Sequence, residues 1–217
     1  MHEANTSFDH PLQQHDGVGI LTAAEAAFKA VLESDAGITR FIVTQSRATR
    51  SLLRMLNRDE VRELIRRHRV VDRVMDDAGR ALELARWDAR DGRRIVIVAT
   101  GPTAVPGLRS LERFAETPLG ESEAVAVLLE DPGNASELRP RIIAAGLPMI
   151  EATGVGHVRD AIEQALRLSR SARMPCVIVA EREIFHASAT IEFRPNRIDD
   201  QAPAGPPRKR GPRWDEV

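Results

Sequence analysis

Three short segments of this chain are apolar at every position: residues 95–99 (IVIVA), 124–129 (AVAVLL) and 176–180 (CVIVA). A strand with two apolar faces must be covered on both, so these runs exclude a sheet with one wet face. Segments with helical spacing separate them, and strand and helix patterns alternate at least five times. The expected fold class is α/β, a mostly parallel sheet with helices on both faces.

The punctuation between the runs sets the expected elements. Thr22 and Glu25 form a capping box that opens a helix over 22–34. A strand follows at 38–44. Ser46 is expected to cap a second helix carrying Leu52, Leu53, Met55 and Leu56, and Asn57 with Glu60 a third, through Arg67. Strand 70–75 ends at Asp76 and Asp77, and helix 78–90 ends at Gly92. Strand 94–100 runs into a sharp turn at Gly101, Pro102 and Thr103, and a helix comes after it. Strand 124–129, helix 139–145, strand 148–151, helix 157–172 and strand 175–180 complete the pattern. Residues 1–16 and the Pro/Arg-rich stretch 195–217 read as disordered tails around one domain over 17–194.

The net charge of −1 gives no field that favours nucleic acid or an anionic membrane. No apolar run is long enough to span a bilayer, so the expected compartment is the cytoplasm. Cys176 is the only cysteine, which excludes a disulfide framework and a cysteine-held metal or iron–sulfur cluster. All but Lys29 and Lys209 of the 31 basic residues are arginine, so a lone arginine is a weak marker of a site.

Several motifs have a plain reading beside a functional one. Gly154-Val155-Gly156 lacks the third glycine of a dinucleotide fingerprint, because Arg159 stands there; a strand-to-helix turn is the simpler reading, and a nucleotide-binding domain the third-ranked function. Cys176 in an apolar strand reads as a small buried hydrophobe. Arg47, Arg50 and Arg54 read as a solvated helix face or as a clamp for a carboxylate. His186 reads as an ordinary loop histidine or as a site residue, since it lies just beyond the carboxyl end of the strand at 175–180, where open α/β sheets place ligands.

The strand at 124–129 ends in "EDPGNASE", an acidic loop rich in turn residues. This stretch, with "AGLPMIEATG" and "VRDAIEQALRLSRSARMPCVIVAEREIFH" after it and "DDAGRALELA" and "RRIVIVATGPTAVPGLRSLERF" before it, resembles the pyrimidine-binding (Pyr) domain of thiamine-diphosphate enzymes. The resemblance is greatest to the N-terminal domain of the α subunit of indolepyruvate and related 2-oxoacid:ferredoxin oxidoreductases. It implies a subunit of a thiamine-diphosphate-dependent 2-oxoacid decarboxylase or oxidoreductase complex, in an oligomer. The cofactor would be shared with a partner carrying the diphosphate-binding domain, which would hold Mg²⁺. An iron–sulfur electron-transfer subunit is a further implied partner, and no nucleic acid or membrane is.

The resemblance also implies a site. The aminopyrimidine would meet Asp76, Asp77 and the turn at Gly101, Pro102 and Thr103. The 2-oxoacid would lie near Thr44, Gln45, Ser46, Arg47, Glu130, Asp131, Asn134 and His186. The sequence departs from the family in three places. Thr44-Gln45-Ser46-Arg47 replaces its Gly/Pro-rich turn. Ala78 aligns with its activating glutamate, and only a one-residue slip would put Asp77 there. The Gly-Asp-Gly motif that holds diphosphate is absent. The second reading, from a different class, is therefore a non-catalytic structural or regulatory relative that keeps the fold.

Overall fold

The computed structural model describes residues 11–13, 16–34, 39–89, 92–101, 105–131, 138–184 and 186–197. Along the chain run β1 (Gly17–Thr22), α1 (Ala23–Glu33), β2 (Thr39–Thr44), α2 (Arg50–Leu56), α3 (Asp59–Arg67), β3 (Val70–Met75), α4 (Ala78–Ala89), β4 (Arg94–Thr100), α5 (Val105–Ala115), β5 (Glu123–Leu129), α6 (Leu138–Ala144), β6 (Met149–Ala152), α7 (Val155–Ala172), β7 (Cys176–Ala180), a 3-10 turn (Arg182–Ile184) and β8 (Ser188–Phe193). Six strands form a wholly parallel sheet in the order β3-β2-β4-β5-β7-β6. The α/β class expected from the apolar runs is the class found.

The two faces of the sheet are divided by alternation along the strands. Phe41, Val43, Val96, Val98, Val125, Val127 and Ile178 pack with α1, α2, α3 and α7. Ile42, Ile95, Ile97, Ala124, Ala126, Val177 and Val179 pack with α4, α5 and α6. Direction explains this division. The steps β2 to β3 and β6 to β7 go one way across the sheet and use the first face; the other crossovers go the opposite way and use the second. That is the arrangement a single hand of crossover demands.

The capping box opens α1 as expected: Thr22 Oγ1 accepts the Glu25 N–H at 3.4 Å and Glu25 Oε2 accepts the Thr22 N–H at 2.8 Å. The caps expected for the next two helices are replaced. Helix α2 starts only at Arg50, with Thr49 at its N-cap, and Arg58 precedes α3; neither makes a side-chain cap bond. Asn57 instead closes α2, its Nδ2 donating to the Leu53 carbonyl at 3.1 Å. Gly92 follows α4 at φ 72°, in the left-handed region.

Strands β1 and β8, which the local pattern left unassigned, pair antiparallel in a separate two-stranded ribbon. Leu21, Ile191 and Phe193 point into the core, while Val18 and Ile20 face outward. A Cβ at Gly19 would lie 2.4 Å from Phe193 Cζ, so only glycine lets that ring cross β1. The packed body extends past both expected domain boundaries. Leu12 is fully buried, and Asn196 donates from Nδ2 to its carbonyl at 3.3 Å. Contacts between residues far apart in sequence, invisible to local pattern, move these boundaries.

Candidate functional site

Strand β2 hands the chain to one face of the sheet and its neighbour β4 hands it to the other. Their carboxyl ends therefore diverge, which is where open α/β sheets form a ligand crevice. Thr44 to Arg47 would form one wall of such a crevice, and Thr100 with Gly101 the other.

On the first wall the Gln45 N–H donates to the Met75 carbonyl at 2.9 Å, extending the β2–β3 ladder by one residue. The chain then turns around Thr49, whose buried hydroxyl donates to the Thr44 carbonyl at 2.5 Å. The Ser46 N–H donates to Thr49 Oγ1 at 3.0 Å, and the Thr49 N–H to Ser46 Oγ at 3.3 Å. Ser46 and Thr49 thus brace the turn, and Thr44 is buried beneath it. Gln45 and Arg47 are exposed, as are Arg50 and Arg54 on the following turn and helix.

On the second wall the Gly101 N–H donates to the Leu129 carbonyl at 2.9 Å. A Cβ at Gly101 would meet Leu138 Cδ2 at 2.8 Å, so a larger residue there would displace the end of the Leu138 side chain. Thr100 Oγ1 is buried and has no hydrogen-bond partner among the described residues. Thr100 was not among the sequence candidates; its signal is one hydroxyl closing the apolar run 95–99. Pro102 and Thr103 lie outside the described residues.

Asp76 and Asp77 follow β3, one strand further out. Strand spacing of ~4.8 Å separates the β3 and β4 tips by about 10 Å. Asp77 Oδ1 accepts the Arg80 N–H at 2.9 Å and so caps α4. Arg80 also pairs with Asp76 at 3.2 Å and with Asp77 at 3.7 Å, all three side chains being exposed. Ala78, the first residue of α4, is buried.

Beyond β4, the apolar β5 ends in Glu130, which is only 3% exposed. Its N–H donates to the Ala180 carbonyl at 3.0 Å, and its carboxylate pairs with Arg139 of α6 at 2.6 Å. Arg139 bonds Glu151 in β6 at 2.7 Å. Hydrogen bonding to Glu130 first, and to Glu151, pushes the guanidinium up from its ordinary value. Glu130 therefore serves as a buried anchor whose charge is met within the chain. Arg139, absent from the sequence candidates, sits just after the acidic loop that needs a cation. Asp131 is half-buried, Asn134 lies outside the described residues, and His186 is exposed beyond β7.

The remaining motifs take their plain readings. Gly154 is the extended N-cap of α7, a strand-to-helix turn, and His157 is exposed. Burial pushes the Cys176 thiol up to about 12, and it opens β7, at the end of the strand opposite the crevice. Among the described residues no group of three or more His, Cys, Asp or Glu side chains could hold a metal ion. Among them, too, no helix is long and apolar enough to cross a membrane.

No family model matches the sequence, and no curated protein does. Among solved structures the chain is similar to 2-oxoglutarate:ferredoxin oxidoreductase from Magnetococcus marinus, solved with 2-oxoglutarate, coenzyme A and succinyl-CoA bound. The TM-score is 0.57 at 15% identity, over 82% of this chain and 32% of that one. The chain thus spans about a third of the chain it resembles, and at this identity the likeness speaks for the fold.

Proposed function

We propose that the chain is a Pyr-domain-like subunit of a thiamine-diphosphate-dependent 2-oxoacid oxidoreductase or decarboxylase complex. A partner carrying the diphosphate-binding domain completes the site and holds Mg²⁺. The observation that carries this reading is the shared fold, over 82% of this chain, with an oxidoreductase whose structure holds 2-oxoglutarate. The β2–β4 crevice, with Gln45, Arg47, Thr100 and Gly101 at its mouth, is the place on this chain where a shared ligand would sit.

The described residues do not fit the activation of that cofactor. An activating acid must be free to hydrogen-bond a ring nitrogen, and hydrogen bonds weaken steeply with poor geometry. Asp77 spends its carboxylate on the first turn of α4, and Ala78 offers a methyl group. This favours the second reading, a relative that keeps the fold and its pairing surface without turning over substrate. No catalytic step is assigned to Asp76 or Asp77.

Reconstitution tests both readings. The chain is combined with the product of its neighbouring gene, thiamine diphosphate and Mg²⁺, and 2-oxoacid decarboxylation is measured. Failure of the two chains to co-sediment sinks the subunit reading. Activity that falls in Asp76→Asn or Asp77→Asn overturns the non-catalytic reading. Activity seen only in Ala78→Glu identifies a site that has lost its acid.

A further inference from the structure

Residues 194–197, which follow β8, cross α1 and the end of α3 as a strap. The Arg194 N–H donates to Glu33 Oε1 at 2.9 Å and the Arg197 N–H to the Leu32 carbonyl at 3.0 Å. From below, the fully buried Lys29 ammonium donates to the Arg194 carbonyl at 2.9 Å and to Asn196 Oδ1 at 2.5 Å. At the far end His68 Nδ1 lies 2.9 Å from the Arg197 carbonyl. A carbonyl carries only lone pairs, so Nδ1 bears the ring proton and donates it. The other ring nitrogen, Nε2, is buried and has no hydrogen-bond partner among the described residues.

We propose that the strap is a latch released by acid, with His68 as its trigger. Protonation would put a charged N–H into buried space where none of the described residues accepts it, a costly arrangement. The charges around the ring add to that cost. Arg67 on its own helix and Lys29 on α1 both repel a second cation. The strap presents Arg197. Glu33 on α1 is already engaged by Lys29 at 3.4 Å and by the Arg194 amide, while Asp16 and Arg159 face Lys29. Burial, opposed by the Arg197 carbonyl and reinforced by Lys29 and Arg67, holds His68 below its ordinary value of 6.5.

The sign follows from this. A ring freed from the strap regains its ordinary value, so release takes up a proton only below pH 6.5 and down to the lowered value of the docked ring. Above pH 6.5 the strap stays at full strength. Arg194, Pro195 and Arg197 also wall a cavity of about 260 Å³ against Glu33 and Arg159, so release would remove one side of that cavity.

Hydrogen exchange tests the latch on the full chain. Protection of the Arg194 and Arg197 amides should fall by up to about tenfold per pH unit below the ordinary histidine value. The amides of Val125 and Val127 in the central strand should keep theirs over the same range. In His68→Gln, whose amide can still donate to the Arg197 carbonyl, the strap's protection should not change with pH. A flat wild-type profile overturns the proposal, and so does a pH dependence that survives in His68→Gln. If that variant does not fold, the wild type decides. The loss of strap protection must then track the titration of the His68 ring followed by NMR, and a mismatch overturns the latch.

Discussion

Lys29 Nζ and Asn196 Oδ1 lie 2.5 Å apart although 167 positions separate them in sequence. The same ammonium donates to the Gln13 carbonyl at 3.0 Å, and the Phe193 ring centroid lies 5.0 Å from it. One buried charge thus ties both ends of the described chain to α1. Burial lowers its affinity for a proton, which Glu33 partly restores. Lys29→Met would leave the Gln13 and Arg194 carbonyls and Asn196 without this donor. Removing one partner of a buried ion pair costs about 3–5 kcal/mol. Urea unfolding should show that loss as a lower midpoint; a midpoint equal to wild type would remove the central role given to Lys29.

The segment at 11–13 should stabilise the domain. Leu12 is fully buried in the cluster under α1, and losing a buried leucine side chain costs about 2–5 kcal/mol. A chain starting at residue 14 should therefore melt well below one starting at residue 11. Equal melting temperatures for the two would show that Leu12 is not part of the packed body in solution.

Glu130 and Arg139 make a prediction about the carboxyl edge. Arg139→Met leaves the buried Glu130 carboxylate without its cation, whereas Glu130→Gln/Arg139→Met together remove both charges. About a third of the Arg139 side chain meets water, so the single change should cost about 2–3 kcal/mol, less than for a fully buried pair. The double variant should recover part of that loss. Independent, additive effects in a double-mutant cycle would count against the coupling.

Cys176 should be chemically silent. The thiolate is the reactive form, and burial raises this thiol to about 12. A thiol reagent at about pH 8 should leave the folded chain unlabelled and modify one thiol after denaturation. Rapid labelling of the folded chain would mean that β7 opens at its amino end.

Several local causes were legible in the sequence, although the caps expected of Ser46 and Asn57 were not the ones formed. The apolar runs of β4, β5 and β7 required a sheet covered on both faces. Thr22 and Glu25 marked the start of α1, and the two glycines around Val155 marked a turn, because each depends on residues within one helical turn of itself. Candidates such as Thr44, Asp76, Gly101 and Glu130 lie at or just after strand ends in the sequence, and a wholly parallel sheet brings the carboxyl ends of β2, β3, β4 and β5 to one edge.

Tertiary structure decided what long-range partners do. The ribbon of β1 and β8 joins "GVGILT" to "SATIEF", two stretches too weak in local pattern to show as strands without each other. Lys29 is one of only two lysines, and only folding brings the Gln13 carbonyl, the Arg194 carbonyl and Asn196 around it. Glu130 looked available to a ligand until Arg139 was folded against it. Asp77 had the chemistry of an activating acid, and its position before α4 turns one of its carboxylate oxygens to a backbone N–H. A side chain's chemistry is written in the sequence; which atoms claim it depends on segments that meet only when the chain is folded.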